Sequence, residues 1–251
     1  MKSTFFFLMI LSILTSCQQS KLGEDKLDLE GFNLSFNVSD FYEGEIEKYE
    51  IFERQKDEIL NGKTKEEIGD QLVEFWDIKH IQIDTINYRN NEILDDPYRV
   101  IGIQYNMTSW SQNDSIADFN QMSFHKIDMM KSVNGEFIAL STQSEDDSDA
   151  EFEELLAYLV KKHGKPEVSK YNFFGDYYNY SWLTNDRLIL INSKYNNKKN
   201  LLKIGITIND NDVEFDTMKK PTIDTRLFIV NNKFKDSIMG RMSSGDWLYL
   251  K

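Results

Sequence analysis

The chain has 251 residues, of which 40% are hydrophobic, 13% aromatic and 28% charged. This composition is typical of a globular protein with one large core or two smaller ones, and it excludes disordered and collagen-like chains. The formal net charge of −13 would repel nucleic acid phosphates, so we expect no nucleic acid partner.

The amino-terminal residues have the features of an export signal. Lys2 and the amino terminus supply positive charge, and the apolar stretch from Phe5 to Leu14 has the length of a signal core. A membrane-spanning helix would need about 20 apolar residues. Cys17 follows this stretch closely and is the single cysteine of the chain. A disulfide within the chain and a cysteine-based metal site are therefore excluded.

Leu14-Thr15-Ser16-Cys17 resembles the lipobox of bacterial lipoproteins, an aliphatic residue followed by two small or modest ones and a cysteine. The resemblance implies cleavage before Cys17 and a lipid on its thiol, which would anchor the protein to a membrane of the cell envelope. Cleavage would remove one basic and no acidic residue, which changes the charge from −13 to −14. The alternative is an ordinary secretory signal or an uncleaved anchor, although an ordinary signal favours small residues at both −3 and −1.

The resemblance sets the predicted organisation of the chain. Residues 1–16 are the signal peptide, 17–30 a lipidated flexible tether, and 31–251 an α+β region that is left open as one unit or as two associated units split near 143. Gln18 follows the cysteine, whereas aspartate marks inner-membrane retention in enterobacterial lipoproteins, so the outer membrane is favoured. The folded region resembles no family that implies a function.

The first part of the folded region predicts a mixture of strands and helices. Alternating apolar residues predict a strand from Phe32 to Val38, while 41–60 fits a helix and a strand almost equally. Thr64 and Glu67 form a capping box that predicts a helix over 64–76. Further strands are predicted over 81–88 and 100–107.

The second part predicts a helix followed by an antiparallel meander. Asn134-Gly135 predicts a hairpin. A second helix over 149–163 ends at Gly164 and presents an apolar stripe of Phe152, Leu155, Leu156, Leu159 and Val160, of which Phe152, Leu156 and Leu159 are expected to dock on the sheet. Later strands are predicted over 168–174, 177–183, 187–194, 201–208 and 227–230, with a helix near 234–242. We therefore expect an α+β fold in which two amphipathic helices pack on antiparallel sheet.

No motif specifies a reaction. His80 and His125 lie in predicted strands without zinc-ligand spacing, and His163 is expected to cap the end of its helix. Nucleophile elbows and phosphate loops are absent from the sequence, so no catalytic residue, metal or cofactor is predicted. The alternative is an envelope hydrolase that uses a pair of carboxylates. The chain has 42 acidic residues, and the sequence does not single out two of them.

The most unusual local composition is the aromatic run at 171–182. Tyr177, Tyr178, Tyr180 and Trp182 are the candidate ligand-binding residues, because flat aromatic surfaces suit sugars and peptides. The alternative is cross-strand aromatic packing within a sheet. We expect a non-catalytic envelope lipoprotein that binds a protein, peptide or glycan.

Overall fold

The computed structural model describes residues 19–68, 73, 78–88, 99–146, 149–172, 176–195, 205–209, 212–216, 223–242 and 245–251. The helices are α1 (Val38–Leu60), α2 (Lys65–Ile68), α3 (Ala150–His163), α4 (Lys235–Ile238) and a C-terminal 3-10 helix (Gly245–Tyr249). The strands are β1 (Leu27–Asp28), β2 (Ile81–Tyr88), β3 (Arg99–Met107), β4 (Ala117–Phe119), β5 (Met122–Phe124), β6 (Lys126–Ser132), β7 (Phe137–Asp146), β8 (Glu167–Asn172), β9 (Asp176–Leu183), β10 (Arg187–Tyr195), β11 (Gly205–Asn209), β12 (Asp212–Asp216) and β13 (Ile223–Asn231). The predicted signal peptide and Cys17 lie outside the described residues.

The main sheet has eight strands in the order β2-β3-β6-β7-β13-β10-β9-β8, and all neighbouring pairs are antiparallel. The fold is thus α+β and rich in sheet. Gln143 lies within β7 and is paired with Arg226 of β13 on one side and Lys126 of β6 on the other. The sheet is therefore continuous across the predicted boundary near 143, which would cut through one of its central strands.

The two halves of this sheet are topologically equivalent. In the first, α1 precedes four strands that pair in chain order, β2-β3-β6-β7; in the second, α3 precedes β8-β9-β10-β13. The last strands of the two halves pair with each other at the centre, where Thr142 is opposite Leu227. Each half also carries a short inserted hairpin, β4–β5 or β11–β12.

The sheet is covered on both faces. On one face, the buried residues of α1 and α3, such as Phe41 and Phe152, share a cluster with Met129, Leu140 and other sheet residues. On the opposite face, Trp247 and Leu250 of the C-terminal segment pack on Phe228 and its neighbours. Burial of apolar surface on both faces supplies the main stabilisation of the sheet.

The segment that precedes the first helix differs from the predicted flexible tether over 17–30. Leu22, Leu27 and Leu29 are buried in the core, and β1 pairs in parallel with β4. The three leucines explain the difference, because they bury apolar surface that a free tether would leave in water. Residues 19–30 are therefore part of the folded domain.

The predicted strand from Phe32 to Val38 is also wrong. Asn33 accepts hydrogen bonds from the backbone N and the Oγ of Ser35, and this local turn interrupts the extended chain. Asn37 then caps α1 by accepting from Ser39 N, so Val38 begins a helix. The alternating apolar side chains of this segment are buried, but the backbone that carries them is irregular.

Several local predictions are confirmed. Thr64 and Glu67 exchange the two hydrogen bonds of the capping box, although only Lys65–Ile68 of the helix predicted over 64–76 is described. Gly135 has φ +86° in the β6–β7 hairpin, and Gly164 ends α3 with φ +85°. Within α3, however, the buried stripe is Phe152, Leu155 and Leu159; Leu156 is half-buried.

Candidate functional site

A groove of about 540 Å³ lies between the sheet and the C-terminal segment. Its floor is formed by β8 and β9, and its walls by the end of α3 and by residues of α4 and the chain terminus. Its lining includes His163, Lys165, Glu167, Ser169, Tyr171, Asn179, Ser181, Thr184, Lys235 and Lys251. This volume lies within the range of small-ligand sites, about 300–1,000 Å³.

Polar side chains of the floor are not used by the fold. Glu167 and Ser169 of β8 and Ser181 of β9 make no side-chain hydrogen bond or ion pair within the described part of the chain, and the same holds for Lys165. Glu167 and Ser181 are directly paired across the two strands, so their side chains lie on the same face. The groove therefore offers a carboxylate, an ammonium group and hydroxyls to a ligand.

His163 lies at the end of the groove, as the last residue of α3. Burial, together with the charge of the neighbouring Lys162, lowers the pKa of this histidine below its ordinary value. Its Nε2 is shielded from solvent and has no hydrogen-bond partner among the described residues. The lowered pKa and the unpartnered Nε2 do not support the expectation that a charged imidazolium caps the helix.

The C-terminal wall is fixed by an asparagine pair in the sheet. Asn179 Nδ2 donates to the backbone oxygens of Tyr249 at 3.1 Å and Lys251 at 3.2 Å. Asn192 Nδ2 donates to Asn179 Oδ1 at 2.7 Å and so orients the amide of Asn179. Both asparagines are buried, so this part of the wall is rigid and preformed.

The four aromatic candidates do not form one exposed surface. Tyr177 is buried on the groove face between Tyr171 and Tyr249, and Trp182 is buried on the helix face, where its Nε1 donates to Gly164 O. Tyr178 and Tyr180 are half-buried on the helix face, and the ring of Tyr180 contacts that of Phe152. Strand alternation explains the separation, because neighbouring residues point to opposite faces.

A second polar cluster is buried beside the groove face. Lys126 Nζ lies 2.9 Å from Asp128 Oδ2 and 2.7 Å from Asp246 Oδ2, while Arg226 Nε donates to Asp246 Oδ1 at 2.8 Å. Tyr249 stacks on the Arg226 guanidinium, with 4.2 Å between Cζ and the ring centre. The four charged groups join β6 and β13 to the C-terminal 3-10 helix.

The pKa values of the two carboxyl groups in this cluster are shifted in opposite directions. Burial raises the pKa of Asp128 to about 6, against the attraction of Lys126 and with the support of the Asp246 charge. Burial acts in the same direction on Asp246, but Arg226 and Lys126 together lower its pKa below the ordinary value. A pair of unequal acids is what a hydrolase would need, but neither residue lines the groove. The cluster is thus better explained as a link between strands and terminus.

Sequence reasoning missed the groove and the ionic cluster, because their residues are far apart in the chain. A signal for the groove was present: Asn179 and Ser181 are small polar residues at alternate positions, and all their neighbours are aromatic. That alternation indicates a polar sheet face. No comparable signal connects Lys126 with Asp246.

Within the described residues, no His, Cys, Asp or Glu side chains are grouped as a metal site, and no helix is both long and apolar enough to cross a membrane. Comparison of the chain with protein-family models, with curated proteins and with solved structures found no significant match.

Proposed function

We propose that this protein is a lipid-anchored component of the bacterial cell envelope that binds a glycan, without chemical turnover, in the groove on β8 and β9. The lipid on Cys17 is the anchor, with the outer membrane favoured by Gln18. The helices α1 and α3 cover the opposite sheet face and leave the groove face to the ligand.

The observation that carries the proposal is the set of unused polar side chains in the groove. Glu167 is exposed and Ser169 and Ser181 are half-buried, so their polar atoms are open to a ligand, and they make no side-chain hydrogen bond within the described part of the chain. Glu167, Ser169 and Ser181 are side by side on a sheet whose backbone is held by β-pairing. A preformed site of this kind avoids the entropic cost of ordering loops on binding.

The chemistry of the lining favours a polyhydroxylated ligand. A carboxylate and hydroxyls accept and donate to sugar hydroxyls, and Tyr171 adds an aromatic ring at the far end of the groove. The anchor contributes by confining the protein to a membrane surface, where weak binding gains effective concentration.

Two measurements test the proposal. Mass spectrometry of the native amino terminus is expected to find acylated Cys17 as the first residue; an intact Met1 would contradict the anchor. Soluble peptidoglycan fragments and chito-oligosaccharides, titrated into the mature domain, are expected to shift the amide resonances of β8 and β9. Glu167→Ala should weaken this binding about tenfold or more, since a hydrogen bond to a charged group contributes about 1.5–3 kcal/mol.

Glu153→Ala is the matched control, because Glu153 is an exposed acid in the first turn of α3. Unchanged glycan affinity in Glu167→Ala would contradict the groove as the site. Preferential binding of peptides would mean that the ligand of the groove is a peptide and not a glycan. Turnover of a glycan that is abolished by one Asp or Glu substitution would establish the hydrolase alternative instead.

A further inference from the structure

The start of the described chain is tied to the amino terminus of α1. Gln19 Nε2 donates to Asn37 O at 2.8 Å, and Asn37 N donates to Gln19 Oε1 at 2.7 Å. Leu22 N donates to Phe41 O and extends this attachment along the helix. Cys17 precedes Gln19 by two residues of the sequence, and two residues of polypeptide span at most about 7 Å. A lipid on Cys17 would therefore hold the domain without a slack tether.

This attachment lies at one particular end of the sheet. Lys131, next to the end of β6, donates to Ser39 in the first turn of α1. Because neighbouring strands are antiparallel, the same end carries the β6–β7 hairpin loop at 133–136, the β9–β10 turn at 184–186 and the end of β13. We call it the hairpin end.

The hairpin end exposes apolar side chains at its loops. Val133 in the β6–β7 loop is 61% exposed, and Leu183 at the β9–β10 turn is 63% exposed. Val100, at the start of β3 on the same end, is 46% exposed. Apolar residues raised on the tips of turns have no core role, and a water–lipid interface is one place where their exposure is favourable.

Charged side chains differ between the two ends of α3. The first turn of α3 is acidic, with Glu151 and Glu153, and its last turn is basic and lies at the hairpin end, where β8 begins. Lys161 and Lys165 have no ion-pair partner within the described part of the chain. The acid groups Glu136 and Asp186 at this end are each paired, with Lys233 and Arg187. Asp40 in the first turn of α1 and Glu167 at the start of β8 are also exposed and have no ion-pair partner within the described part of the chain, so the unpaired charges of this end are of both signs.

We propose that the hairpin end rests on the membrane that holds the Cys17 lipid, with Val133 and Leu183 at the level of the headgroups. The inference rests on the proposed lipid anchor. In this orientation the groove has Leu183 and Thr184 near the membrane and Tyr171 farthest from it.

The single native cysteine makes the orientation measurable. In the lipidated protein the thiol of Cys17 is blocked, so one introduced cysteine can be labelled uniquely with an environment-sensitive fluorophore. We choose Val133→Cys and Leu183→Cys at the hairpin end, and Asn113→Cys as the control in the exposed loop that follows β3 at the opposite end. The labelled lipoprotein is reconstituted in phosphatidylethanolamine vesicles, with and without phosphatidylglycerol.

The expected result is a blue-shifted, quencher-protected emission at 133 and 183 and aqueous emission at 113, in both kinds of vesicle. Aqueous emission at all three positions in protein whose lipid has been verified by mass spectrometry would overturn the inference and leave the anchor intact. Protection of 133 and 183 only in native envelopes would assign the surface to a protein partner and also overturn it. Absence of the lipid would instead contradict the proposed function.

Discussion

Lys126 and Asp246 are 120 residues apart in the chain, and the Nζ of Lys126 lies 2.7 Å from Oδ2 of Asp246. The other oxygen of Asp246 accepts from Arg226, so both oxygens of the carboxylate are used by cations of the sheet. All three side chains are at most 10% exposed. Because buried charges are tolerated only when they are paired, this carboxylate is one of the contacts that hold the C-terminal segment on the sheet, beside the hydrogen bonds from Asn179.

We predict that Asp246→Asn lowers the free energy of unfolding by about 3–5 kcal/mol, because it leaves the Arg226 guanidinium buried without a counter-charge. Urea denaturation of the mature domain measures the loss. Asp236→Asn is the control: the Asp236 side chain is 94% exposed, so a change within about 0.5 kcal/mol is expected. Equal effects of the two substitutions would contradict the structural role of the cluster.

Asp128 provides a test by pH. Its folded pKa of about 6 exceeds the ordinary value of 3.8, so the folded protein binds a proton more readily than the unfolded chain. The stability that this proton contributes is fully present below about pH 4 and is lost as the pH rises through 6. The free energy of unfolding of the wild type, relative to that of Asp128→Asn, should therefore increase from pH 7 to pH 4, by up to about 3 kcal/mol. A difference independent of pH would contradict the raised pKa, and carboxyl NMR titration would measure that pKa directly.

The parts of the fold that sequence predicted are those decided by neighbouring residues. The capping box at Thr64, the glycine turn at Gly135 and the end of α3 at Gly164 each depend on local backbone geometry, which a short pattern contains. The strand predicted from Phe32 to Val38 failed for a related reason: its alternation was read without the competing turn at Asn33.

The pairing of distant segments was not predictable. The central contact of β7 with β13 joins residues more than 70 positions apart, and apolar periodicity carries no information about partners. Burial of Leu27 and Leu29 likewise depends on β4, which follows α1 and two long strands. The pattern of the aromatic run also did not determine which sheet face is covered by helices and which by the C-terminal segment, so it could not assign its side chains to either face.

Gly102 and Gly44 are expected to respond oppositely to the same substitution. A Cβ on Gly102 would lie 2.0 Å from the carbonyl oxygen of Lys131, in the paired strand β6, so Gly102→Ala should destabilise the protein by about 1–3 kcal/mol. Nothing lies within 4 Å of a Cβ on Gly44, inside α1, and Gly44→Ala should stabilise by about 0.5–1 kcal/mol. Thermal and urea unfolding of both variants test the close approach of β3 to β6. A Gly102→Ala variant with unchanged stability would contradict that approach.

The register of α3 on the sheet can be tested with two adjacent leucines. Leu155 is 1% exposed and belongs to the core cluster, whereas Leu156 is only half-buried at its edge. A cavity at a closed site costs more than a truncation that solvent can fill, so Leu155→Ala should lower the free energy of unfolding by about 2–5 kcal/mol and Leu156→Ala by clearly less. Val160→Ala, at a position that is 40% exposed, is the surface control. A larger loss in Leu156→Ala than in Leu155→Ala would mean that α3 is rotated about its axis, toward the stripe that the sequence alone predicted.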